Sequence, residues 1–287
     1  MNSKYKRQIT AIILAVVMTS LLVPSIVSAE IKFAILPRLS VIEMKNMFKP
    51  LEEYLTKEVG EKVSLIFTKD FTSFKEMIKS GQADLGFANP IIYVQLKKEL
   101  DIEPLALSAE FKAGTKFRGI IIARKDSGIS KLQDLKGKKL IFVDKDSAAG
   151  YIFQMLLLSK AGMDIQKDFT MLPFAKKHEN VTYAVSIGTA DAGGIREDDF
   201  EKMKTKVDIT KLAIVGYTDY FPNWPVFATP IANKDATKKI KAALLKLKPG
   251  DPLSGKIVGS AKLDGFVAVK DKDYDELRKA AKIAGAL

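Results

Sequence analysis

Residues able to hold an anion fall in a few short loops of this 287-residue chain. Asp146-Ser147-Ala148-Ala149-Gly150-Tyr151 follows the apolar run KKLIFV and precedes IFQMLLLSK, so a strand feeds a helix through a turn of small residues. A helix start of this kind presents unpaired N–H groups and the positive end of the helix dipole. Ser147 is placed to cap the helix, and the N–H groups of Ala148, Ala149 and Gly150 could converge on an oxyanion. Small residues chosen only for close packing would give the same pattern. His178, the only histidine, sits in a comparable loop beside Lys176 and Lys177, where a ligand contact and a plain surface role both stay open. Arg38, two residues before Ser40, could clamp an anion with its forked guanidinium or simply be solvated.

Tyr93, Tyr151, Phe71 and Trp224 could supply an aromatic lining, although each also suits core or hinge packing. Asn89 precedes the helix that carries Tyr93, and Asp198 follows another strand-to-helix junction. Catalysis is poorly supplied. With no cysteine and one histidine there is no thiolate nucleophile, no disulfide framework and little for a metal site. No serine–histidine–acid order, acidic pair or glycine-rich nucleotide loop occurs at a distinctive spacing. A binding protein without catalytic residues, metal or cofactor is therefore expected. The net charge of +12 is spread as lysine pairs along helix faces, which argues against nucleic acid and suits an anionic ligand or an envelope partner.

These loops need a scaffold, and the hydrophobic periods supply one. They predict strands at 31–36, 63–67 and 84–87 alternating with helices at 41–58, 72–79 and 91–99. The order returns as strands at 139–143, 169–172 and 191–195 with helices at 150–161, 179–187 and 197–204, followed by helices at 236–247 and 272–285. Such alternation gives parallel strands with helices on the faces. Gly81-Gln82-Ala83-Asp84-Leu85-Gly86 and Gly188-Thr189-Ala190-Asp191-Ala192-Gly193 both read G-x-A-D-x-G, and the shift that carries Gly81 onto Gly188 also aligns the elements around them. The expected fold is α/β with two lobes, each a mixed, mostly parallel sheet flanked by helices. Passages between the lobes are expected at FRGIIIARKDSG (117–128) and at the proline-rich 213–232, giving a two-strand hinge. Lobe 1 is then 30–116 with 228–287, and lobe 2 is 117–227. Ligands of such sheets bind beyond the C-terminal strand ends, where the loops named above lie.

Residues 1–29 read as an export leader. Lys4, Lys6 and Arg7 precede an apolar stretch, and Val27-Ser28-Ala29 fits cleavage after Ala29, with an uncleaved membrane anchor as the alternative. Interruptions at Thr19, Ser20 and Pro24 favour the leader. Cleavage would leave 258 residues with a charge of +9, released into the periplasm without a cysteine for lipid attachment.

The segments FKPLEEYLTKEVGEKV, FKEMIKSGQADLGFANPIIYV, FRGIIIARKDSGISKLQDLKGKKLIFVDKDSAAGY, KKHENVTYAVSIGTADAG and DGFVAVKDKDYDELRKAAK resemble those of the phosphate/phosphite/phosphonate-binding components of ABC transporters, a branch of the type II periplasmic binding proteins. The resemblance covers nearly the whole chain after the leader. It implies a ligand captured in an interlobe cleft and delivered, by a chain expected to be a monomer, to an ABC-type membrane permease. An envelope sensor working with a sensor kinase is the alternative. The resemblance also implies that Ser147, His178 and Tyr93 take part in ligand binding.

Two departures from the family pattern stand out. Where similar proteins resemble S-T-S-G-Y, Ala148 and Ala149 remove two hydroxyl donors, each worth about 1–3 kcal/mol towards a charged oxygen. Trp224, in FPNWP, stands where aminoalkylphosphonate-binding members carry an acid that pairs with the ligand's amine, while Asp198 or Glu197 resembles a further carboxylate that is kept. A small, hard phosphonate is therefore expected to bind less well than a different small anionic or aromatic ligand, held by backbone N–H groups, Arg38 and His178.

Overall fold

The computed structural model describes residues 30–111 and 113–287; the expected leader, 1–29, lies outside them. No helix among the described residues is long and apolar enough to cross a membrane. The first elements are β1 (Ile31–Ile35), α1 (Val41–Val59), β2 (Val63–Phe67), α2 (Phe71–Lys79), β3 (Leu85–Phe87) and α3 (Pro90–Glu99). β4 (Glu103–Glu110), β5 (Lys116–Phe117), β6 (Gly119–Arg124) and β7 (Lys139–Ile141) follow, then a π-helical turn at Ala148–Ile152 that runs into α4 (Phe153–Lys160). Next come β8 (Thr170–Met171), α5 (His178–Ser186), β9 (Ala192–Arg196), α6 (Glu197–Lys202), β10 (Leu212–Tyr217), β11 (Phe221–Pro222) and β12 (Pro225–Ala228). The chain closes with α7 (Lys234–Lys246), α8 (Pro252–Val258), β13 (Leu263–Val267) and α9 (Asp275–Ile283). Local sequence accounts for most boundaries. In α1, for example, Ser40 caps the start, Gly60 ends the helix in the left-handed region at φ 76°, and Met44, Phe48, Leu51, Leu55 and Val59 form one buried stripe.

Two mixed sheets result, in the orders β13-β4-β12-β3-β1-β2 and β10-β6-β9-β7-β8. The strands read from the alternating pattern form the parallel triplets β2-β1-β3 and β8-β7-β9. The antiparallel strands are those supplied by segments that pass between lobes or return from them. β6 explains how the second sheet is covered on both sides. Ile121 and Ala123 join one apolar cluster with Leu140 and Phe142, while Ile120 and Ile122 join the other with Ile141 and Val143.

The passages lie slightly apart from the stretches expected. The chain leaves the first sheet at Glu110 and enters the second at Gly119, so half of 117–128 is strand β6 rather than connection. On the return, β12 already belongs to the first sheet from Pro225, before the boundary expected at 228. Between the sheets β5 and β11 pair antiparallel and form the two-strand hinge. An aromatic group packs against it: Phe153 stacks on Phe221 at 4.2 Å with a 28° interplanar angle, and Phe117 lies 5.3 Å from Phe153.

The repeat has a structural meaning. Asp84 accepts the Lys32 N–H at 2.8 Å and Asp191 accepts the Lys139 N–H at 2.8 Å, so each aspartate ties the first strand of a triplet to the third. Gly81 and Gly188, at φ 67° and 82°, make the left-handed turn before each. The helical segments also start in step, at 41 and 148, 71 and 178, and 90 and 197, each pair separated by the interval between Gly81 and Gly188. Truncating the stacked ring at the hinge, Phe153→Ala, is expected to cost about 3–5 kcal/mol of stability, measured by urea denaturation.

Candidate functional site

Helices whose starts face the gap between the lobes treat their free N–H groups in two ways. In the first lobe every one of the three is closed by its own chain. Ser40 forms a capping box with Glu43, Asp70 forms one with Ser73, and the Asn89 side chain accepts from Ile91 and Ile92. The equivalent positions in the second half of the repeat are Ser147, Lys177 and Arg196, and none of them makes a side-chain capping bond. Lysine and arginine have no acceptor to offer. Ser147 has one, but it stands before a π-helical turn and is 6% exposed, with its hydroxyl not engaged in a cap. The N–H groups that open the turn have no intrahelical acceptor either, by the geometry of any helix start.

Position and packing hold that turn rigidly. The Gln154 amide donates to the Ala149 carbonyl at 2.7 Å and to the Ile120 and Ile195 carbonyls at 3.2 Å, tying the turn to β6 and β9. Gly150 is required because a Cβ there would come within 2.7 Å of the Ser147 hydroxyl and 2.5 Å of Val143. Ala148 and Ala149 are each 3% exposed and join the apolar cluster that also holds Phe117, Phe153, Phe221 and Trp224. The alanines thus add apolar contact at the hinge side of the gap.

Beside this turn two guanidiniums meet on one carboxylate. Glu110, at the end of β4, accepts from Arg38 at 3.0 Å and from Arg196 at 2.5 Å, joining the first lobe to the second. Each guanidinium also lies over a ring, Arg38 at 4.7 Å from Trp224 and Arg196 at 4.4 Å from Phe117. Asp198 bonds Arg196 from the other edge at 2.8 Å. Burial opposes ionisation of Glu110, but Arg38 and Arg196 outweigh it and hold the carboxyl below its ordinary range. Removing one partner of so enclosed a pair costs about 3–5 kcal/mol.

His178 stands next to this cluster. Its Nδ1 accepts the Arg196 backbone N–H at 3.1 Å, which leaves the proton on Nε2, 3.9 Å from Asp199. Burial pushes its pKa down, only partly countered by Asp199. Asp199 in turn is drawn down to about 2: burial opposes this, while His178 when it is protonated, Lys202 and Arg196 together prevail. The imidazole is therefore a neutral donor rather than a cation.

Arg38, Trp224, His178 and Asp198 gather around Glu110 and Arg196, and Ser147–Gly150 adjoins them through Gly119, which pairs with Arg196 and where an added Cβ would lie 2.9 Å from the Ala149 carbonyl. Asn89 reaches across the lobes to donate to the Asp146 carbonyl at 3.3 Å, while the Asp146 side chain bonds Lys75 at 2.7 Å and Gln95 at 2.9 Å. Three of the expected residues stand apart from this cluster. Tyr93 is fully buried in the first lobe between Phe227 and Tyr274, and its hydroxyl donates to Asp271 at 2.6 Å. Tyr151 turns to Phe142 and Phe174 in the second lobe, away from the charged cluster. Ser40 is at the surface, its hydroxyl committed to Glu43.

Glu110 and Arg196 are central here, and neither stands out as a site residue by type and spacing alone. Arg196 carries one available signal: the repeat aligns it with the cap Asn89, at a place where no cap can form. Glu110 carries none, since β4 is buried along almost its whole length and shows no alternation to mark it.

Residues 33–274 match the model of a family described as the periplasmic phosphonate substrate-binding proteins of ABC transporters. The chain belongs to this family. The phosphate-import protein PhnD of Mycolicibacterium smegmatis is 26% identical over 277 residues, 89% of this chain and 86% of that protein. PhnD1 of Prochlorococcus marinus, solved in complex with methylphosphonate, superposes with a TM-score of 0.76 over 90% of this chain and 99% of that one, at 17% identity. That likeness is one of fold, the two-lobed type II periplasmic binding protein. The tetrathionate sensor histidine kinase TtrS of Salmonella typhimurium is 23% identical over 216 residues, 70% of this chain and 36% of that protein.

Two outcomes follow from this geometry. Tyr93→Phe is expected to cost about 1–3 kcal/mol in urea denaturation through the unpaired Asp271 and to leave ligand affinity unchanged within two-fold. His178 holds its proton more weakly when folded than the unfolded value of ~6.5, so the unfolded chain gains protons first and stability falls as pH drops through ~6.5. His178→Asn, which keeps an acceptor for Arg196, is expected to remove that loss from a series of urea midpoints taken down to acid pH.

Proposed function

We propose that this chain is a periplasmic capture protein that binds a small oxyanion between its lobes and presents the closed form to an ABC permease. The observation that carries this reading is the capping difference: the second lobe leaves its helix starts uncapped around a buried Ser147, while the first lobe satisfies its own. An anion would accept from the N–H groups of Ala148, Ala149 and Gly150, from the Ser147 hydroxyl and from Nε2–H of neutral His178. Closure would add Arg38 and the Trp224 face from the first lobe and stabilise the closed state by its differential contacts. No bond is made or broken. Both jaws belong to one chain, so a monomer suffices.

Ligand choice would depart from that of a site rich in hydroxyls. With alanine at 148 and 149 the oxyanion receives mainly backbone donors, and Trp224 sits beneath Arg38 where a flat or apolar substituent would contact its ring. Membership of the phosphonate-binding family supports the permease partner and export to the periplasm. A second reading, in which closure reports the ligand to a sensor kinase, is favoured by the partial likeness to the tetrathionate sensor. Loss of a transcriptional response with labelled-ligand uptake intact, on deletion of the chain, would select it.

Trp224 is the only tryptophan, so its emission reports directly on the gap. Titration of the protein purified from the periplasm with phosphate, phosphite, methylphosphonate, methanesulfonate, acetate and benzoate is expected to give saturable changes for at least one oxyanion. Ser147→Ala is expected to weaken that ligand about ten-fold, the worth of one hydrogen bond to a charged oxygen. Absence of binding by every oxyanion would contradict the reading.

A further inference from the structure

We propose that Glu110 sets the charge of the ligand, acting as a built-in anion that shares both guanidiniums of the gap and restricts the site to oxyanions with a single negative charge, such as a sulfonate or a phosphonate monoester. The inference rests on the oxyanion site proposed above and adds its charge class. Glu110 ends β4 in the first lobe with its side chain 10% exposed, and Arg196 opposite it is 5% exposed. One oxygen of Glu110 lies 3.0 Å from Arg38 and the other 2.5 Å from Arg196, so a guanidinium from each lobe already shares one anion.

The surrounding charges leave little to spare. Arg196 has a second carboxylate in Asp198 at 2.8 Å, and Asp199 beyond it is paired with Lys202 at 2.6 Å. Arg38 and Arg196 are thus balanced by Glu110 and Asp198, and His178 is a neutral donor through its Nδ1 contact with the Arg196 N–H. What remains for a ligand is the partial charge of the uncapped helix starts, roughly half an elementary charge each. Hydrogen-bond capacity remains as well, because Arg38 gives Glu110 a single N–H of its fork.

Glu110 cannot readily be displaced. Its two guanidiniums are seated on Trp224 and Phe117, and freeing the carboxylate would leave a buried charge unpaired. A ligand therefore joins the cluster beside Glu110. Its first negative charge meets the helix starts and the open edge of Arg38. A second would face Glu110 and Asp198, and among the described residues the cation left beside His178 is Lys177, exposed and 4.0 Å from Glu179.

Glu110→Gln keeps the shape and an acceptor while removing the charge. The affinities of wild type and E110Q are compared for methanesulfonate, a permanent monoanion, and for methylphosphonate at a pH above its second ionisation, where it is a dianion. Wild type is expected to prefer the monoanion, and E110Q to shift the ratio towards the dianion by ten-fold or more, ~1.4 kcal/mol. The wild-type preference is a second reading that does not depend on the variant folding. Tighter wild-type binding of the dianion, or an unchanged ratio in E110Q, overturns the charge assignment and leaves the oxyanion site standing. Failure of both proteins to bind either probe overturns the site and the assignment together.

Discussion

Every helix start brings N–H groups that must find an acceptor, and in this fold six of them face one gap. The parallel triplets β2-β1-β3 and β8-β7-β9 make this unavoidable, since each strand delivers its helix at the same edge of the sheet. The first lobe answers with its own side chains: Ser40, Asp70 and Asn89. The second puts serine, lysine and arginine at the matching positions, and none of them caps its helix through a side chain.

Charge and packing refine that division. Arg38 and Arg196 approach from opposite lobes, and Glu110 keeps them from repelling one another across the gap. Ala148, Ala149 and Trp224 belong to one buried apolar cluster beside it. Asp146 ties the lobes at a second place, through Lys75 and Gln95.

Much of the fold was legible because the relevant signals are local. Periodicity and small-residue turns mark the alternating strands and helices to within a residue or two, and the G-x-A-D-x-G repeat marks the strand-to-strand ties at Asp84 and Asp191. β4, α8 and β13 were not legible. β4 is a strand buried along almost its whole length, so it lacks a polar face to give a period, and β13 is recognisable only through its pairing with β4. Tyr93 shows a related limit. Its helix buries Ile91, Ile92, Tyr93, Val94 and Leu96 in near succession, so spacing cannot say which side chain faces the gap. Glu110 belongs to the site only through contacts to residues 72 and 86 positions away, which no local pattern records.

The central claim is that the anion is received by the uncapped turn of the second lobe. Backbone amide NMR during titration with the bound oxyanion tests it most directly. The account predicts large shifts for the amides of Ala148, Ala149 and Gly150, with those of Ile91 and Ile92, already bonded to Asn89, nearly unmoved. Shifts concentrated at the capped helix starts of the first lobe, with Ala148–Gly150 unchanged, would contradict it.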